Sequence, residues 1–135
     1  MEKIYFLFLG LLLMSSSCND EKEQKLRVQN NSDKTIYYDW SSSYPDSSFQ
    51  YIGNPTGDPY QCKVNAKSIS NYSYLSPNKN YFGSRDMDTM IIFIFDAELI
   101  EALSWDSVRS KGLVLKRYFL SLDDLEEMNW IVNYP

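Results

Sequence analysis

The pattern of apolar and polar positions divides the chain into an apolar leader, a polar stretch and a mixed remainder. From Ile4 to Met14 the residues IYFLFLGLLLM are apolar apart from the Tyr5 ring and the small Gly10, with Lys3 beside the amino terminus. As a helix these residues would rise only about 16 Å, roughly half of a bilayer's hydrocarbon thickness, so an export signal is expected rather than a permanent span. From Asn19 to Lys25 there is no apolar side chain, and this reads as a flexible tether. Order is expected to start at Leu26.

Beyond Leu26 the pattern predicts strands first. LRVQ and Thr35 to Trp40, separated by a turn at Asn30 to Lys34, suggest an antiparallel hairpin. SSSYPDSSFQYIGNPTGDP is punctuated by proline and glycine and is expected to be mostly loop, with an edge-like piece at Phe49 to Ile52. YQCKVNAK alternates as an outer strand does, and ISNYSYLSPNKNYF continues with weaker strand signals broken at Pro77 and Asn78.

Met90 to Phe95 is apolar on both strand faces, which predicts a central strand covered on both sides. Asp96 can cap a helix that starts at Ala97, runs through AELIEALSWDSVRSK with a kink near Ser104, and stops at Gly112. LVLKRYFLS returns to strand with apolar positions on both faces. Ser121 and Asp124 mark a short helix that turns Leu122, Leu125 and Met128 inward, and WIVNYP closes against the core. The expected fold class is α+β: one compact domain over residues 26–135, with a mainly antiparallel sheet and one or two short helices. An all-β sandwich is the alternative.

The segment MSSSC, after the apolar run, resembles a loose lipobox of bacterial lipoproteins. Ser17 directly precedes Cys18, while Ser15 stands where a leucine is usual. NDEKEQK resembles the sorting segment that follows the lipidated cysteine in surface lipoproteins of Bacteroidetes. Residues 1–17 then read as signal peptide, Cys18 as the lipid attachment site and 18–25 as the lipidated cysteine with its tether. LKRYFLSLDDLEEMNWIVNYP, together with NNSDKTIYYDW and YPD, resembles a group of small uncharacterised Bacteroidetes envelope lipoproteins. The resemblance implies a membrane partner through lipid on Cys18 and a place at the outer membrane, facing either the surface or the periplasm. It carries over no active site.

Charge and composition narrow the chemistry. The net charge of −5 is unchanged by signal removal, because Glu2 and Lys3 cancel, and the bases are dispersed, so nucleic acid is a poor partner. With no histidine in these 135 residues, Ser-His-Asp and Cys-His nucleophile systems and His-containing metal sites are excluded. With Cys18 lipidated, Cys62 is the one thiol left and is expected to be inert and largely buried. Five scattered glycines form no phosphate loop. Asp86 and Asp88 form a D-x-D pair that calcium could use with Asn80, but the twelve-residue calcium-loop pattern is missing, and an acidic turn is the expectation. Asp123, Asp124, Glu126 and Glu127 read as solvated residues around a helix start. No cofactor, metal or catalytic residue is assigned.

Eleven tyrosines and three tryptophans then become the main functional signal, because Tyr37, Tyr38, Trp40, Tyr44, Tyr51 and Tyr60 concentrate around the long loop. Tyrosine and tryptophan combine an apolar face with a polar edge, which suits recognition of proteins or glycans. Trp105, Tyr118 and Trp130 are expected in the core. The candidate binding surface is Trp40, Tyr44, Tyr51 and Tyr60 with Asp39, Asp46 and Asp58, whose carboxylates could also serve glycoside hydrolysis if two of them face each other. The favoured reading is a binding or protein-interaction module whose partner is an envelope protein or glycan. A non-catalytic structural or accessory lipoprotein comes second, and a carboxylate-based hydrolase third.

Overall fold

The computed structural model describes residues 24–46, 48–71, 76–84 and 88–135, so the signal, Cys18, Asp86 and most of the tether lie outside the described residues. In chain order the strands are β1 (Arg27–Asn30), β2 (Ile36–Ser41), β3 (Lys63–Val64), β4 (Ser68–Ile69), β5 (Met90–Asp96), β6 (Lys116–Leu120) and β7 (Ile131–Tyr134). The helices are α1 (Pro59–Cys62), α2 (Lys79–Ser84), α3 (Ala97–Ala102), α4 (Trp105–Lys111) and α5 (Leu122–Glu127), with a 3-10 turn at Pro55–Gly57. The class is α+β, with more helices than the one or two expected.

Strand β5 organises the molecule because every residue from Met90 to Phe95 is buried. Alternation sends Met90, Ile92 and Ile94 to one face and Ile91, Phe93 and Phe95 to the other. The first face packs against Leu26, Val28, Leu125, Trp130 and Val132, and the second against Phe49, Ile52, Ile100 and Val108. The four-stranded sheet, in the order β3-β2-β5-β6, therefore lies between two layers. A second sheet, β4-β1-β7, and α5 cover one face; α3, α4 and the segment around Phe49 cover the other.

The expected hairpin between β1 and β2 does not form, since the two strands belong to different sheets. Strand β1 pairs instead with β7 in parallel, Val28 opposite Val132, and with β4 antiparallel. Asn30 accounts for the divergence. Its buried amide donates to the carbonyls of Lys34, Val64 and Asn65 at 2.7, 3.2 and 3.1 Å, while Oδ1 accepts from the Ser32 amide and hydroxyl. The turn is thereby tied to the corner after β3 and carries the chain from one sheet to the other.

Three further expectations change. The stretch YQCKVNAK keeps only Lys63 and Val64 as strand, because Asp58 caps a helical turn that has Pro59 in its first position, where a missing N–H costs nothing. No strand forms at Phe49–Ile52; Phe49 takes a left-handed backbone (φ 43°) and plants its ring between Phe93, Phe95 and Trp105, each 5.7 Å away between centroids. The single helix after Asp96 is two, since Ser104 caps α4 by accepting from Ser107 N–H, and Gly112 closes it in the left-handed conformation (φ 62°) that glycine tolerates. Asp96 caps α3 as expected, and Ser121 with Asp124 forms a complete capping box on α5. Strand β6 lies at the sheet edge and is less buried than its sequence suggests, with Phe119 exposed.

Candidate functional site

Strand β2 creates the most distinctive recess. Along one edge it pairs with β5 over its full length, Ile36 opposite Asp96 through Ser41 opposite Ile91, but along the other β3 reaches only Ile36 and Tyr37. Past Tyr37 the short 3-10 turn and α1 lie alongside the strand and border, with it, a cleft of about 500 Å³. Tyr38, Asp39 and Trp40 all line it. Successive side chains of a strand point to opposite faces, so three consecutive residues can share a cavity only at the strand's edge.

The far wall is Gly53, Asn54, Pro55, Asp58, Gln61 and Cys62, and the third side is Leu26, Ser76, Pro77 and Tyr81. Local caps shape the far wall: Asn54 accepts from Thr56 N–H and Asp58 from Gln61 N–H, each ahead of a proline that starts a helical turn. Asp58 also accepts from the Gln61 side-chain amide. Trp40 and Tyr81 meet edge to face, with centroids 4.8 Å apart. Tyr81 comes from α2, a helix whose sequence carried only weak strand signals.

Asp39 lines the cleft, and its Oδ1 accepts from Trp40 N–H at 2.8 Å. Burial pushes its carboxyl up to about 6, and the Trp40 amide pulls only partly the other way. The Cys62 thiol is pushed up to about 12, first by burial and then by the negative charges of Asp39 and Asp58. It is therefore a thiol rather than a thiolate at neutral pH, chemically quiet as the sequence suggested, though half-buried rather than hidden. Tyr38 is likewise raised, chiefly by burial.

No family model, curated protein or solved structure matches this chain. The geometry alone therefore sorts the candidate residues. Trp40, Asp39 and Asp58 come together in the cleft. Tyr44, Tyr51 and Tyr60 do not line it and are 60, 71 and 71% exposed, Tyr44 resting edge-on against Phe119. Asp46 is buried and spends both oxygens on the amides of Gln50 and Tyr51, which makes it a brace for the Phe49 turn. Tyr38, Gln61, Cys62 and Tyr81 join the site without having been singled out as site residues. The Asn-Pro and Asp-Pro pairs at Asn54 and Asp58 were the local signals of its far wall.

A second recess of about 410 Å³ lies beside the start of α3, lined by Lys34, Lys63, Asp96 and Glu101 among others. Lys63 and Glu101 are paired there: Glu101 Oε1 accepts from Lys63 Nζ at 2.6 Å and from the Tyr37 hydroxyl at 2.8 Å. This cluster fastens α3 to the sheet. Asp88 is exposed, and among the described residues no group of three or more acidic or cysteine side chains is placed to hold a metal ion.

Proposed function

We propose that this chain is an envelope lipoprotein, held at the outer membrane by lipid on Cys18, that acts as a binding module and receives part of a protein partner in the Trp40–Asp58 cleft. One observation carries the reading: a recess of about 500 Å³ joins aromatic and aliphatic walls to two carboxylates at a strand edge that β3 leaves uncovered. Recesses of roughly 300–1,000 Å³ with apolar walls and a few placed polar groups are typical of ligand sites. An unpaired strand edge is also a recurrent place for a partner chain to dock. The test is a screen of peptide and glycan arrays with the full chain in mild detergent. Saturable peptide binding that weakens at least tenfold in Trp40→Ala supports the reading; peptide binding indifferent to that change removes the cleft from it.

Asp39 favours a second reading. A carboxyl that burial pushes up to about 6, in the same cleft as a second aspartate, has the character of a general acid, as in glycoside hydrolysis. Turnover of a glycan substrate lost in both Asp39→Asn and Asp58→Asn would establish it, and saturable binding without turnover would reject it.

A further inference from the structure

We infer that the cleft is built for a lysine side chain presented by a protein partner, its stem lying along Trp40 and its ammonium between Asp39 and Asp58. The inference rests on the binding reading above and names the group recognised. Charge is the first argument. Among the described residues lining the cleft, Asp39 and Asp58 are acidic and none is Lys or Arg, so an entering cation finds attraction without a competing base.

The walls supply the second argument. Leu26, Pro77 and the Trp40 and Tyr81 rings offer apolar surface for a four-carbon stem, and an indole face attracts an ammonium group. The state of the carboxylates distinguishes lysine from arginine. Asp39 Oδ1 already takes the Trp40 N–H, and Asp58 already takes both the backbone and side-chain amides of Gln61. Neither presents the pair of free oxygens that a guanidinium fork engages, whereas a compact ammonium with three rotatable donors can take one oxygen from each.

Among the described residues no base is paired with Asp39: its hydrogen-bond donor is a neutral amide, and burial works against its charged form. A bound ammonium would supply the missing counter-charge. The site is therefore incomplete without a cation, unlike the recess beside α3, where Lys63 already satisfies Glu101.

The experiment uses the full chain in detergent and follows the Trp40 indole N–H resonance, assigned by its loss in Trp40→Phe. The probes are capped five-residue peptide pools with random flanks and a central lysine, Nε-acetyl-lysine, norleucine or arginine, together with 1,5-diaminopentane and glucosamine. The lysine pool is expected to shift the resonance with an apparent Kd at least tenfold lower than the acetyl-lysine and norleucine pools, and lower than the arginine pool. Asp39→Asn, which keeps an oxygen for the Trp40 amide, is expected to abolish that preference while remaining folded by circular dichroism. Equal affinity for lysine and acetyl-lysine overturns the inference and leaves the peptide-binding reading standing. The diamine or glucosamine binding as tightly as the lysine pool assigns the site to a free amine and overturns the inference as well. Absence of a shift with every peptide pool overturns both.

Discussion

Replacing Asp39 by asparagine is expected to stabilise the folded chain at pH 8 and to change little at pH 3. Burial raises the Asp39 carboxyl from an ordinary 3.8 to about 6 in the folded state. Between those values the folded chain keeps a proton that the unfolded chain has released, so Asp39 lowers stability as pH rises from about 4 to about 6, and the loss stays constant above that range. At about 1.4 kcal/mol per decade the penalty reaches about 3 kcal/mol by pH 8. Asparagine removes the charge, keeps an acceptor for the Trp40 N–H and leaves its amide nitrogen on the cleft side. Urea denaturation of both proteins at pH 3, 5 and 8 measures the difference at each pH, and the other carboxylates cancel between them. A variant that is equally stable or less stable at pH 8, or a gain independent of pH, refutes the argument. A carboxylate kept where asparagine would be more stable is the mark of a group retained for what it contacts.

Other changes test the scaffold and the anchor. Phe49→Ala is expected to cost about 3–5 kcal/mol by thermal or urea unfolding, because the ring is fully buried among Phe93, Phe95 and Trp105; alanine suffers the same left-handed backbone, so the loss reports packing. Asn30→Ala is expected to cost about 2–3 kcal/mol by urea unfolding, since the carbonyls of Lys34, Val64 and Asn65 lose a shared buried donor. Cys18→Ser is expected to abolish incorporation of labelled palmitate in cells and to leave the leader uncleaved; labelling that persists refutes the anchor assignment.

What the sequence made legible was local. Met90–Phe95 announced the central strand because both faces are apolar, and Asp96, Gly112 and Ser121 announced helix ends because their caps are made by neighbours within four residues. Ser104 carried the same kind of signal, but the spacing of Ile100, Leu103 and Ser107 read through it as one helix with a kink there. The partner of β1 was illegible for a different reason. Val28 meets Val132 across about a hundred residues, while the nearer β2 offered an equally apolar strand, and the decision rests on the contacts of one buried asparagine.

The site followed the same division. Trp40, Asp39 and Asp58 stood out by residue type, and the structure brings them together. Tyr44, Tyr51 and Tyr60 were grouped with them by nearness in sequence, yet the Phe49 turn and α1 direct them elsewhere. Tyr81 and Pro77 reach the cleft from a segment where no local pattern pointed to a site.

The most direct test of the central claim is a map of backbone and side-chain resonances of the full chain titrated with the lysine-centred peptide pool. The account predicts saturable shifts concentrated at Tyr38–Trp40, Asp58, Gln61 and Tyr81, with Tyr44, Tyr51 and Phe119 unmoved. Shifts gathered instead around Tyr44 and Phe119, or none within the cleft at millimolar peptide, would contradict it.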